Sequence, residues 1–161
     1  GGTENHSLIS SNALGEIRAA LKGSNCRFYN SDFKCYVQSA DASFHPDLSI
    51  ICGPTELYQG KSHVFTNPSA IIEVLSDSTA AYDRGLKLRT YHQLTSLKEY
   101  VLIEQNERHI DYYFRPNFGD QWTLTFFDQN QTHLHLLLHG IHIPLDEIYA
   151  GVAFPTDKKG P

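Results

Sequence analysis

Three features of the sequence predict an α/β fold, a central mixed β-sheet with helices packed on its faces. Its first twenty residues carry apolar side chains at helical spacing. A nearly continuous apolar run, Ala70 to Leu75, is broken only by Glu73 and is followed by a second helical stretch. Beyond that lie several short strand-like runs separated by turn residues.

In chain order, Leu8 to Leu21 places Leu14, Ile17 and Leu21 three and four apart, the period of an amphipathic helix, with Gly23 as its stop. Cys26 to Tyr29, Lys34 to Val37 and Leu48 to Cys52 read as strands, the last bounded by His45-Pro46 and Gly53-Pro54. Pro54 to Pro68 reads as a long connection. Ala70 to Leu75 has the composition of a strand covered on both faces. Ser76 to Thr79 offers N-cap oxygens to a helix ending near Leu94. Tyr100 to Ile103, Ile110 to Phe114, Trp122 to Phe127 and His133 to Leu138 complete the strands, with turns at Pro116-Asn117 and Asp128-Gln129-Asn130.

A chain of 161 residues fits one domain, 1–161, and no repeat, low-complexity tract or linker divides it. With 40% apolar and 19% charged residues the composition is globular. No apolar stretch has the length of a membrane span and no basic-then-apolar leader opens the sequence, which predicts a cytoplasmic protein without membrane contact. Cys26, Cys35 and Cys52 form neither a CxxC nor a zinc-knuckle pattern, so they are expected as reduced core thiols with no disulfide-linked partner. The net charge of −5 argues against a nucleic-acid coat protein, whose affinity comes from neutralising phosphates. It leaves room for local contact with DNA through a metal ion.

Glu73 is the most informative residue. A carboxylate inside Ala70-Ile71-Ile72-Glu73-Val74-Leu75 costs several kcal/mol to bury unless it is paired, solvated at an edge or bound to a cation. Asp47, after Pro46 at the mouth of a strand, suits turn chemistry alone. Two carboxylates at the ends of neighbouring strands also suit a hard cation such as Mg²⁺, which leaves positions for water and substrate phosphate. Thr79, Asp83, Lys87 and Tyr91 recur every four residues and form one drifting stripe on a helix. That stripe is either a solvated face with an Asp83–Lys87 pair or the route by which an ammonium reaches the acids. His133, His135, His139 and His142 invite a metal reading. However, the alternation Thr132 to Leu136 is that of a polar-out strand, and no Cys or carboxylate stands at a spacing that completes a tetrahedral set.

Together these segments resemble the Uma2 family, a mostly cyanobacterial group also known as DUF820 and labelled as restriction endonucleases. The resemblance rests on Pro46-Asp47-Leu48-Ser49-Ile50, Asn67-Pro68, Ile72-Glu73-Val74-Leu75-Ser76, Ser78-Thr79, Tyr82-Asp83-Arg84-Gly85, Lys87, Tyr91 and Ser96 to Ile103. Gly1-Gly2-Thr3 with His6, Asn30-Ser31-Asp32 with Lys34, and Ile141 to Tyr149 extend it over almost the whole chain. It implies a restriction-endonuclease-like PD-(D/E)xK core. Asp47 would be the first acid of the motif and Glu73 the second. The motif's lysine position holds Leu75, which implies that Lys87 has taken that role from the following helix. The resemblance also implies that a segment preceding Gly1 in relatives is absent here.

The expectation is thus a Mg²⁺- or Mn²⁺-dependent endonuclease acting on DNA. Asp47, Glu73 and the Val74 carbonyl would hold the metal, and Lys87 would serve the water and phosphate. Asp83 and Tyr91 would fix Lys87, with His6 and Lys34 near enough to substrate to contribute. A homodimer is expected, because cutting two strands needs two sites. The alternative is a non-catalytic homologue that keeps the fold as an oligomerising or nucleic-acid-associated protein.

Overall fold

A computed structural model of the chain describes residues 2–155; Lys158-Lys159, read from the sequence as part of a frayed tail, lies outside them. Helix α1 spans Glu4–Leu21, beginning about one turn ahead of the stretch read from the sequence and so including His6. Thr3 caps it, its hydroxyl accepting from the His6 N–H at 3.1 Å. Its buried stripe is Ile9, Ala13, Ile17 and Leu21, with Leu14 packed at the margin.

The strands are β1 (Cys26–Tyr29), β2 (Lys34–Val37), β3 (Ala42–Phe44), β4 (Leu48–Cys52), β5 (Val64–Phe65), β6 (Ala70–Val74), β7 (Glu99–Ile103), β8 (Ile110–Phe114), β9 (Thr123–Phe127), β10 (His133–Leu136) and β11 (Ile141–Pro144). Between β6 and β7 run helix α2 (Ala80–Tyr82), a π turn (Asp83–Lys87) and helix α3 (Leu88–Tyr91); α4 (Leu145–Ile148) follows β11. The central sheet has the order β1-β4-β6-β7-β8-β9. Only β6 and β7 pair in parallel within it, so the sheet is mixed, as the element order predicts. The parallel pair requires a crossover, and α2, the π turn and α3 provide it.

Both faces of the sheet are covered. On one, Leu48, Ile50, Ile72 and Val101 pack with α1, β10, β11 and α4. On the other, Ile51, Ile71, Tyr100 and Leu102 pack with Tyr91, Leu97 and Phe65 from the crossover and the small β3-β2-β5 sheet. Alternation along β6 therefore sends Ile72 and Val74 to the α1 face and Ile71, Glu73 and Leu75 to the crossover face.

The cysteine expectation is corrected for two of the three thiols. Cys26 and Cys52 are directly opposed on β1 and β4 and form a disulfide, whereas Cys35 is a buried free thiol. Sequence spacing of 26 residues carries no sign of a pairing that only the sheet register creates. No helix among the described residues is long and apolar enough to cross a membrane.

The π turn is tied to the sheet through Arg84. Its Nε donates to Asp111 Oδ2 at 2.8 Å and one Nη to Glu104 Oε1 at 2.5 Å. Tyr100 adds a hydroxyl bond to the Asp83 carbonyl at 3.3 Å. Arg84→Ala strips the buried Asp111 of its strong donor, with His109 left as its partner. The expected loss is about 1–3 kcal/mol of unfolding free energy in urea titration, with Arg84→Lys restoring part of it.

Candidate active site

The β4–β6 register pairs Ser49 with Ile71 and Leu48 with Ile72, and one further step along the ladder sets Asp47 against Glu73. Asp47 lies just before β4, where its backbone N–H points at Glu73 Oε2 at 3.5 Å. Its side chain accepts from the Val74 N–H at 2.8 Å, which holds the carboxylate against the end of β6. The two acids, 26 residues apart in sequence, thus meet at the rim of adjacent strands.

Lys87 reaches them from the crossover. Its Nζ lies 2.8 Å from Glu73 Oε1 and 3.5 Å from Asp83 Oδ1. The ammonium also stands over the rings of Phe44 at 5.5 Å and Tyr91 at 5.9 Å. Asp83, Lys87 and Tyr91 stay on one side because the π turn takes more residues per turn than an α-helix. This sets back the drift that a four-residue spacing accumulates on a pure α-helix. Leu75, at the position of the motif's lysine, is buried in the core on this same face.

His6 approaches from α1, with Nε2 3.4 Å from Asp47 Oδ2. Gly2 lies against its ring, where an added Cβ would stand 2.8 Å from Nδ1 and 3.1 Å from His6 Cβ. The resulting cleft, about 340 Å³, is lined by Asp47, Glu73, Val74, Asp83 and Lys87 together with His6. Gly2, His45, Ser76, Thr79 and Tyr82 complete its wall, and sequence reasoning had no signal for His45 or Tyr82 as wall residues. Gln105, also unanticipated, braces the rim. Its side-chain amide donates to the Leu75 carbonyl at 2.7 Å, and the Thr3 hydroxyl donates to its carbonyl oxygen.

Lys34 is not among the residues lining this cleft. It stands in β2 opposite Val64, on the small sheet, so the proximity implied by the family pattern is not met. Tyr91 is buried behind Lys87 rather than in the cleft wall.

Burial dominates the electrostatics. It pushes Glu73 up to about 7, with nearby Asp47 adding to the rise and Lys87 opposing it. Burial also raises Asp83. For Lys87, burial works downward but Glu73, Asp83 and Asp47 outweigh it, so the ammonium is held above its usual range. The hydrogen bond to Asp47 raises His6. Three carboxylates face one lysine and one histidine here, and all the acidic oxygens are hard donors.

His133 and His135 lie on the partly and fully exposed side of β10, the polar-out alternation that the sequence predicts. His139 comes within 4.8 Å of the Cys26 and Cys52 sulfurs, a proximity that sequence spacing did not disclose.

Residues 1–146 match the profile of the Uma2 family, described as "Putative restriction endonuclease". A Synechocystis sp. (strain ATCC 27184 / PCC 6803 / Kazusa) protein, "Uncharacterized protein slr1290", is 35% identical over 154 residues, 96% of this chain and 79% of its own length. A second from that organism, "Uncharacterized protein sll1609", is 29% identical over 126 residues, 78% of this chain and 70% of its own. Among solved structures, "a putative nuclease belonging to DUF820" from Anabaena variabilis ATCC 29413 superposes with a TM-score of 0.71. It covers 94% of this chain and 84% of its own at 19% identity, a likeness of fold. By the match over 146 residues and the Synechocystis relatives, the chain belongs to the Uma2 family.

Proposed function

We propose that the protein is a Mg²⁺- or Mn²⁺-dependent endonuclease that hydrolyses DNA phosphodiester bonds at the Asp47–Glu73–Lys87 cleft. The observation that carries this reading is the meeting of two carboxylates from adjacent strands with one ammonium from the crossover. The donor set fits a hard divalent cation: Asp47 and Glu73 oxygens converge, and burial leaves Glu73 short of compensating positive charge. Asp47 and Glu73 would hold the ion, joined by the backbone carbonyl of Val74. Once bound, such an ion would supply Lewis-acid polarisation of the phosphoryl oxygen and ease ionisation of the attacking water.

The chain's own groups do the rest. Val74 N–H fixes the rotamer of Asp47, so the carboxylate is oriented before substrate arrives. Lys87, held by Asp83 and backed by Tyr91, presents its ammonium to a non-bridging phosphate oxygen and stabilises charge as it develops. His6, whose bond to Asp47 raises its pKa and favours the charged form, adds a second donor at the opposite wall. Because the net charge is −5, affinity for DNA rests on this local cluster rather than on a basic surface. Two copies in a homodimer would bring one cleft to each strand.

A non-catalytic reading draws on the 2.8 Å contact of Lys87 with Glu73, which already compensates one carboxylate without a metal. Two measurements separate the readings. With Mn²⁺ at a hundred times its Kd, the endonuclease reading expects about 2.7 kcal/mol of added stability, absent in Asp47→Ala. Supercoiled plasmid should be nicked by wild type, and Glu73→Ala or Lys87→Ala should slow nicking by about 10²–10³-fold. Stabilisation without nicking would favour the scaffold, and neither effect would remove the metal site altogether.

Glu73 also sets a pH dependence. The folded chain keeps a proton on Glu73 up to about pH 7, whereas an unburied glutamate releases it near 4.5. Stability from this group is therefore complete below about pH 4.5 and is lost as pH rises through 7. In metal-free buffer, Glu73→Gln should gain about 1–3 kcal/mol over wild type at pH 8 and nothing near pH 4. Denaturant titration at the two pH values checks this; equal effects at both would mean that Lys87 compensates the charge fully.

A further inference from the structure

At the opposite end of the central strands, on the α1 face, lies a second cluster that the cleft does not use. Cys26 and Cys52 face each other across β1 and β4. This is a closely spaced, non-hydrogen-bonded position of the ladder, since the neighbouring Gly53 N–H takes the Asn25 carbonyl. His139, in the turn between β10 and β11, brings a ring nitrogen within 4.8 Å of both sulfurs. Its Nδ1 lies 2.5 Å from Glu99 Oε1, and its Nε2 lies 3.1 Å from Ser69 Oγ.

Glu99 is fully buried and held on its other oxygen by the Tyr112 hydroxyl and the Leu138 N–H. A carboxylate fixed in this way places the proton on Nδ1 and leaves Nε2 as the ligating atom, the arrangement that prepares a histidine for a metal. The single Ser69 hydroxyl proton has two acceptors in reach, Nε2 at 3.1 Å and the Ile50 carbonyl at 3.0 Å, so turning it to Ile50 as an ion binds frees the Nε2 lone pair. Ser69 Oγ is also 3.7 Å from Cys52 Sγ. Cys26, Cys52, Ser69 and His139 open onto a cavity of about 650 Å³ whose wall also includes Asn25, Asn67 and Lys98.

We propose that reduction of the Cys26–Cys52 disulfide converts this cluster into a binding site for a thiophilic divalent ion of the Zn²⁺ class. Cys26 Sγ, Cys52 Sγ and His139 Nε2 are the ligands, and the fourth position opens to the cavity beside Ser69. An external dithiol or phosphine supplies the two electrons, and the disulfide takes up two protons to give two thiols while the reductant is oxidised. Ion binding then releases both thiol protons to solvent. Zinc–sulfur bonds of about 2.3 Å need the sulfurs about 3.7 Å apart, a separation that rotation about the side-chain bonds of an opposed pair provides. The acids of the hydrolytic cleft select hard cations, whereas this set of two thiolates and an imidazole selects soft ones. The proposal does not rest on the endonuclease reading.

Co²⁺ titration of the whole chain tests it, after treatment with diamide or with tris(2-carboxyethyl)phosphine and removal of excess reagent. Reduced protein should bind one equivalent with the sulfur-to-cobalt charge-transfer and tetrahedral ligand-field bands, and Zn²⁺ should displace it. Diamide-treated protein should show neither band. Cys52→Ser and His139→Asn should weaken Zn²⁺ binding by at least about 100-fold, and Glu99→Gln by about 10–100-fold through loss of ring orientation. The double variant Asp47→Asn/Glu73→Gln should keep the bands, which separates this outcome from the fate of the hydrolytic cleft. No charge-transfer band in the reduced chain, a band of equal strength after diamide, or a band unchanged by Cys52→Ser would overturn the proposal. The reduced-against-oxidised comparison uses the unsubstituted chain and decides the matter even where a variant does not fold.

Discussion

A carboxylate inside a strand covered on both faces organises the cleft end of this molecule. Glu73 occupies a position that Val, Ile or Leu would fill without cost, and its ionised form loses several kcal/mol of solvation there. Its surroundings are built around that penalty. Lys87 is brought to 2.8 Å by a helix that departs from α geometry, Arg84 and Tyr100 hold that helix to the sheet, and Asp47 is pinned beside it by Val74. Packing alone needs none of these devices. They are the expenditure that a chain makes when local order at a charged site matters more than global stability.

The strand register converts that local tension into a site. One antiparallel pairing, β4 with β6, places the two acids together, and one parallel pairing, β6 with β7, forces the crossover that carries Lys87. The same strands run to the other end of the sheet, where alternation exposes a different set of side chains on the other face. There Glu99 orients His139 toward the Cys26–Cys52 pair. Oxygen donors at one end and sulfur and nitrogen donors at the other give the sheet two chemically distinct poles, separated by the apolar residues of both cores.

Much of this is legible in the sequence, for identifiable reasons. Cys26–Tyr29, Lys34–Val37, Leu48–Cys52 and Ile110–Phe114 match the strand-like runs end for end, because each is short, apolar-rich and bounded by turn residues. Glu73 stands out because one acid interrupts a buried pattern, and the four-residue spacing from Asp83 to Tyr91 foretells the face Lys87 uses. What escapes is tertiary or too brief to have a period. Strands β3 and β5 span three and two residues. The π turn leaves no mark on hydrophobic spacing. The disulfide and the place of His139 arise from register and from a turn 70 residues beyond Ser69. Lys34 shows the opposite error, a residue that fits a family pattern yet stands on the small sheet and does not line the cleft.

The most direct measurement is anomalous diffraction from crystals of the protein grown or soaked with Mn²⁺. A single strong peak bonded to carboxylate oxygens of both Asp47 and Glu73, with the Lys87 ammonium nearby but not displaced into solvent, is the expected result. A cleft free of Mn²⁺ at saturating concentration, with Lys87 still clasping Glu73, would contradict the account.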